Sequence, residues 1–230
     1  MTHFEHLLKY VPNLCERRIL DVGSGRDEFL REATKRSVYA AGIEINPEYI
    51  DIQEAAAARE GVTLALTQGS AERLPYPDES FDFANLSELI EHVEDPSAVL
   101  SEVARVLAPK GVAYISVPTR FSLRDPHFKL YGVNWVPRRF SEAYIQFFRS
   151  DKQNAENAGR QRLSDMHYYT FNQFKRLLAS KGLMATDSRE ERLRTLVPWP
   201  LRPFALLGYY LVLRPFFFDT VHLFVRKQTP

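Results

Sequence analysis

A doubly wound α/β fold on a mostly parallel sheet is what this sequence predicts, on three observations. Short apolar runs of strand character alternate with helix-periodic stretches from Ile19 to Val117, the rhythm of successive βαβ units. The run "RILDV" leads into "GSG" and then into a helical pattern that opens on Asp27 and Glu28. A chain of 230 residues, 45% hydrophobic, can bury both faces of such a sheet in one domain.

Each element has its own signal. The N-terminus, "MTHFEHLLKYVPNL", lacks a basic start and a long apolar run, so it reads as an amphipathic helix and not as a signal peptide. Ile19–Val22 is a buried strand, ended by Gly23 and Gly25, and a helix follows from Glu28. Next come a strand at Val38–Glu44, an Ala-rich helix at Pro47–Arg59, and strands at Val62–Thr67, Phe81–Leu86 and Val112–Val117. A helix at Pro96–Leu107 has its proline in the first turn, where the missing N–H costs nothing. Five strands thus precede Pro118. Thr119–Met166 breaks the rhythm: it is aromatic and arginine-rich, its polar stretch Asp151–Gly159 reads as mobile, and the whole reads as a lid inserted over a site. A helix at Phe171–Lys181, stopped by Gly182, and strands at Leu183–Arg189 and Val221–Val225 complete the chain. The expectation is a Rossmann-like seven-stranded sheet, mostly parallel, with a long insertion after the fifth strand. It forms one domain over 1–230, divided into a cofactor half (1–118), the lid (119–166) and a C-terminal half (167–230) with an apolar segment at 199–218.

Composition narrows the partners. The one cysteine, Cys15, excludes a disulfide framework and a Cys-based zinc site and points to a reducing compartment, hence a cytoplasmic protein. Residues 1–118 carry 11 Lys+Arg against 20 Asp+Glu, and residues 119–230 carry 19 against 9. The basic second half suits an anionic acceptor or an anionic surface; two solvated faces that attract each other have the same composition.

The Gly-x-Gly turn between strand and helix gathers unpaired backbone N–H groups around a small cavity, the usual seat of an adenine cofactor, although a tight turn without a ligand has the same pattern. The dinucleotide fingerprint needs glycine at its sixth position, where this chain has Glu28. Asp27 and Glu28 repel a pyrophosphate and attract the ammonium and sulfonium of S-adenosylmethionine (SAM). Glu44, 21 residues beyond Gly23, ends the second strand where a carboxylate can bind both ribose hydroxyls.

Four blocks in order, "ILDVGSG", "GIEINPEYI", "GSAERLPYPDESFDFANLSELIEHV" and "VLSEVARVLAPKGVAYISVP", resemble the class I SAM-dependent methyltransferases of the type 11/12 kind from about Arg17 to Pro118. The resemblance implies that Asp21, Gly23 and Gly25 hold the methionine end of SAM, that Glu44 holds the ribose, and that Ser70 and Ala71 lie beside the adenine. Ile45, Glu72 and Asn85 complete the implied cofactor set. The chain departs from the pattern at Asp27, where a third glycine is usual, and at Ser70, where an aspartate usually takes the adenine amino group.

Methyl transfer requires a positioned nucleophile and removal of its proton. In "NLSELIEHVEDP", a helical turn would set Glu88, Glu91 and His92 on one face. This E-x-x-E-H turn is similar to the metal-binding turn of the ubiquinone-pathway O-methyltransferases and the small-RNA 2′-O-methyltransferases. Those families imply a further histidine, for which His167 is the first choice and His127 the second. His92 and Glu91 are therefore the candidate catalytic pair, and Glu88, Glu91, His92 and His167 the candidate ligands of Mg, Mn, Fe or Zn. In metal-free relatives the histidine acts alone or caps a turn.

The lid interleaves arginines with aromatics, which pair with anions and stack on rings; His127, Arg124, Trp135 and Arg138 are the acceptor candidates. For most of the aromatics the lid's own core is the favoured place over ligand contact. In the tail, the apolar run Pro203–Leu213 between Arg202 and Arg214, with Trp199, Tyr209 and Tyr210, is too short to span a bilayer. It suits an anionic membrane surface at the inner face of the membrane, a homodimer contact or a buried helix pair. The sequence thus points to a SAM-dependent methyltransferase acting on the oxygen of a small-molecule, carbohydrate or lipid-linked acceptor. RNA 2′-O-methylation and a non-catalytic SAM-binding partner are the alternatives, and nucleic acid ranks below the other acceptors.

Overall fold

The computed structural model describes residues 1–148 and 161–228; the polar stretch Asp151–Gly159 lies outside them. Strands β1 (Arg18–Val22), β2 (Tyr39–Glu44), β3 (Ala65–Gln68), β4 (Phe81–Leu86), β5 (Leu107–Pro118), β6 (Leu183–Asp187) and β7 (Thr220–Lys227) form one sheet in the order β3-β2-β1-β4-β5-β7-β6. The first five pair in parallel, and β7 runs antiparallel to both β5 and β6. The chain winds outward from β1 to β3, then returns to the other side of β1 with β4. The crevice at the carboxyl ends of β1 and β4 is therefore the topological switch point.

Strict alternation divides the side chains between two faces. Ile19, Phe83, Val112, Tyr114 and Phe224 pack with Phe4, Leu7 and Phe29 on one face. Leu20, Val22, Ala84, Leu86, Ala113 and Ile115 pack with Val99, Val103 and Phe174 on the other. The first face is covered by helices α1 (His3–Leu8) and α2 (Phe29–Arg36), the second by α4 (Pro96–Val106) and α6 (Phe171–Ala179). Helix α3 (Pro47–Arg59) has Pro47 in its first turn and an Asn46 cap that accepts from Glu48 N–H. Thr2 with Glu5, and Thr170 with Gln173, close reciprocal capping boxes on α1 and α6.

Some boundaries differ from the sequence reading for identifiable reasons. The helix after Pro96 passes directly into β5 at Leu107, so that strand starts well before Val112. The strand expected to reach Arg189 stops at Asp187, whose carboxylate accepts from Arg189 N–H (3.0 Å) and Glu190 N–H (3.4 Å). That cap starts helix α7 (Ser188–Leu196), which no hydrophobic period announces: its sequence "SREERLRTL" is mostly charged. The segment after β5, with helix α5 (Ser141–Phe148), packs around Phe128, Val133, Ile145, Leu163, Met166 and Tyr168. Of the segment's aromatics only Phe128 and, in part, Tyr144 enter this core, whereas Phe121, Tyr131 and Trp135 are exposed, so the expectation that most of them form the lid's own core does not hold. The tail forms helix α8 (Arg202–Gly208) and then wide π-helical turns from Tyr209 to Phe217 around Pro215.

Candidate active site

The glycine turn is the first component. Gly23 and Gly25 have φ of 69° and 56°, a backbone that side-chain-bearing residues adopt at a cost. A Cβ on Gly23 would lie 2.6 Å from Leu89 Cδ1, so the loop after β4 rests directly on this turn. The amides of the turn are not free as the sequence pattern suggested. Gly23 and Ser24 N–H donate to the Ile43 carbonyl (2.8 and 3.1 Å), and Gly25 N–H donates to Glu44 Oε2 (2.9 Å). The turn is thereby tied to the end of β2, and its role is to hold side chains.

Glu44 is buried, and its other oxygen accepts from Asn46 N–H at 2.9 Å. Two backbone amides fix a charged acceptor at the lip of the sheet, with lone pairs left for a diol. Ile45 beside it is exposed and offers an apolar surface. On β1, Asp21 is buried, accepts from the Asn85 side-chain amide at 2.7 Å, and is pushed up to about 7 by desolvation. A cation placed there would restore its ionised form. Ser24 Oγ is buried without a hydrogen-bond partner among the described residues. A buried carboxylate in need of a cation, a fixed acceptor for a diol and an orphaned hydroxyl together fit the ammonium, ribose and polar edge of SAM.

At the adenine end, Ser70 Oγ accepts from Glu72 N–H (3.1 Å), and Ala71 joins the core. Glu72 Oε1 accepts from both Glu94 and Asp95 N–H (2.9 Å each), so its carboxylate secures the neighbouring loop.

A cavity of about 550 Å³ lies in front of Asp21 and Gly23, on the α1 face of the sheet. Its far wall comes from residues that sequence reasoning missed: His3, Ser87, Tyr114, Ser116 and His222. Ser87 and His3 Nε2 lie within 3.0 Å, both reach Asn85 Oδ1 (2.9 and 3.1 Å), and the Tyr114 hydroxyl is hydrogen-bonded to His222 Nδ1 at 2.6 Å. Burial lowers the pKa of His3 and takes His222 down to about 4, so both imidazoles are neutral at physiological pH. The alternation of β5 could have put Tyr114 and Ser116 on one face, but nothing local joins His3 to His222.

The segment after β4 corrects the helical-face expectation. Residues 87–94 form bends and a turn closed by His92 N–H to the Leu89 carbonyl, and Glu88 sits at φ 50°. Glu88 lines the cavity, whereas Glu91 and His92 do not. Their companion is His127 and not His167: ligand atoms of Glu91, His92 and His127 lie within 4.8 Å of one another, and His127 Nε2 is 3.4 Å from Glu91 Oε1. His167 instead donates its backbone N–H to the Glu91 carbonyl at 3.0 Å. Glu91 is fully buried and, among the described residues, neither oxygen has a hydrogen-bond donor.

The four acceptor candidates separate. His127 and Arg138 converge on Tyr168, at 6.1 Å between rings and 4.6 Å from guanidinium to ring. Burial and the neighbouring Arg120 take Arg138 down to about 10, and its two terminal nitrogens lack hydrogen-bond partners among the described residues. Arg124 is exposed, and Trp135 stacks on Phe216 of the tail at 5.3 Å.

Comparison with known proteins agrees with this architecture. The family described as "Methyltransferase domain" matches residues 20–115. A demethylmenaquinone methyltransferase of Deinococcus radiodurans is 32% identical over 126 residues, 53% of this chain and 52% of that protein. A ubiquinone biosynthesis O-methyltransferase of Aeromonas salmonicida is 32% identical over 109 residues, 46% of this chain and 45% of that one. The chain spans about half the length of the curated relatives it matches. The crystal structure of an S-adenosylmethionine-dependent methyltransferase from Mesorhizobium loti superimposes with a TM-score of 0.64 over 97% of both chains at 19% identity, a likeness of fold.

Proposed function

We propose that this chain, which carries a class I SAM-dependent methyltransferase domain, transfers a methyl group to a hydroxyl of a small-molecule, carbohydrate or lipid-linked acceptor. The observation that carries the reading is the cavity beyond Asp21 and Asn85, walled by three hydroxyls and two neutral imidazoles. Such a wall matches the alternating donors and acceptors of a hydroxylated molecule.

SAM, when bound, supplies an electrophilic methyl group on a sulfonium. The protein's own contribution is placement. Asp21 neutralises an ammonium, Glu44 holds a diol at the opposite end, and Leu89 on Gly23 keeps the intervening turn in register. Ser87, Tyr114 and Ser116 can orient an acceptor oxygen toward the same space, and His3, held neutral, offers a nitrogen able to accept its proton, while His222 is occupied by Tyr114.

A divalent cation, if one is used, fits Glu91, His92 and His127, since a wholly buried carboxylate without donors beside two imidazoles suits Mg²⁺, Mn²⁺, Fe²⁺ or Zn²⁺. There it would supply Lewis-acid polarisation.

Isotope-labelled SAM incubated with separate lipid, glycan and RNA fractions tests the proposal. Label in an alkali-stable ether of the lipid or glycan fraction is the expected result. Label confined to RNA would transfer the function to 2′-O-methylation, and calorimetric SAM binding without transfer to any fraction would leave a non-catalytic binder.

A further inference from the structure

The tail presents an apolar face that the fold does not use. Along α8 and the turns that follow, Leu201, Phe204, Leu207 and Leu211 recur at helical spacing and all point outward; Phe204 is 75% exposed and Leu211 63%. No residue of α8 is buried. Trp199 (77% exposed) and Phe217 (60%) extend the patch at its two ends. A helix apolar on its outer face is expected inside a core or at a lipid boundary. No helix among the described residues is long and apolar enough to cross a membrane.

We propose that this face is a docking surface for an anionic phospholipid bilayer, on which the tail lies in the interface plane. Charge complementarity selects lipid over a second copy of the chain. The sequence from Thr119 on carries 19 Lys+Arg against 9 Asp+Glu, so two such faces brought together repel, while an anionic surface attracts them. Arg192 is exposed beside the patch and Arg202 bonds only weakly, to the Val197 carbonyl at 3.4 Å, whereas Arg194 is already paired with Glu190 at 2.9 Å. Arg214, expected from the sequence to share this task, does not. It stands 3.8 Å over the Phe171 ring and near Asp187 and Glu190, so it anchors the tail to the body. Tyr209 likewise points inward, its hydroxyl donating to Asp187 at 2.5 Å.

The patch is also coupled to the segment that follows β5. Leu123 N–H donates to the Phe216 carbonyl at 2.7 Å, Trp135 stacks on Phe216, and Thr119 N–H donates to the Asp219 carbonyl at 2.8 Å. A bilayer on the tail therefore lies alongside the insertion.

The full chain mixed with vesicles of phosphatidylglycerol and phosphatidylcholine, followed by sedimentation, tests the inference without any methyl acceptor. The expected result is binding that falls at least tenfold in pure phosphatidylcholine or in 0.5 M salt, and at least tenfold in the variant W199S/F204S/L207S, whose SAM affinity measured in parallel is unchanged. Arg192→Glu combined with Arg202→Glu is the second variant, with the same direction expected. Absence of vesicle binding, undiminished binding by both variants, or a dimer seen by light scattering that the apolar variant dissociates would overturn it. Because SAM binding and vesicle binding are read separately, loss of one does not count against the other.

Discussion

The Gly25 amide donates to Glu44 Oε2 at 2.9 Å, so the carboxylate placed to bind a ribose also fastens the glycine turn to β2. Glu44→Ala removes both functions. SAM affinity should fall by about 1–3 kcal/mol, the cost of losing a charge-assisted hydrogen-bond partner, and calorimetry will read it. Glu44→Gln retains an acceptor for one amide and should lose less; equal affinity of Glu44→Ala and wild type would remove Glu44 from the site.

Asp21 makes SAM binding depend on pH. Burial raises its carboxyl to about 7, so without ligand it binds a proton that the unfolded chain has already lost. The sign follows: folding stability without SAM decreases as pH rises from about 4 toward 7, the window between the unfolded and folded values. An ammonium favours the ionised form, so SAM affinity should rise between pH 6 and pH 8. Asp21→Asn should flatten that profile, and a flat wild-type profile would show that no cation reaches Asp21.

His222 contributes the opposite slope. Its pKa falls from 6.5 to about 4 on burial, so its share of the stability is full above about 6.5 and is lost as pH falls toward 4. His222→Phe should therefore make urea denaturation midpoints less acid-sensitive across that window. It should also leave Tyr114 without its 2.6 Å hydrogen-bond partner.

Gly23→Ala combines a left-handed backbone, at about 1–2 kcal/mol, with a Cβ 2.6 Å from Leu89. A lower denaturation midpoint and a displaced Glu88–His92 turn should follow, with SAM affinity reduced. Unaltered affinity would mean that the turn does not position the cofactor.

The cluster of Glu91, His92 and His127 predicts a grouping of variants. If it holds a divalent ion, added metal should raise the melting temperature of the wild type but not of Glu91→Gln, and His127→Ala should lose metal like His92→Ala. Glu88→Ala should keep metal binding, because Glu88 faces the cavity at φ 50° and lies outside the cluster. Identical melting with and without each of the four metals would dismiss the site.

The sheet was legible because its signals are local. Period-2 apolar runs, Pro47 and Pro96 in first turns, and Gly23 and Gly25 at the end of β1 each act within a few residues, and the same locality placed Asp21 and Glu44 at strand ends. Where a contact spans the chain, sequence alone offered no distance. His3 meets Asn85 and Ser87 across more than eighty positions, and Tyr114 meets His222 across 108, only because β4, β5 and β7 lie side by side and α1 closes over them. The spacing of Glu88, Glu91 and His92 fits a helical turn, but the backbone after β4 turns too sharply for one, so Glu88 faces the cavity and Glu91 faces His127. Composition marked the tail as apolar and bounded by arginines. Tertiary packing decided that Arg214 and Tyr209 turn inward while Trp199 and Phe204 remain outside, since Asp187 provides one buried acceptor and the sheet has no further face to cover them.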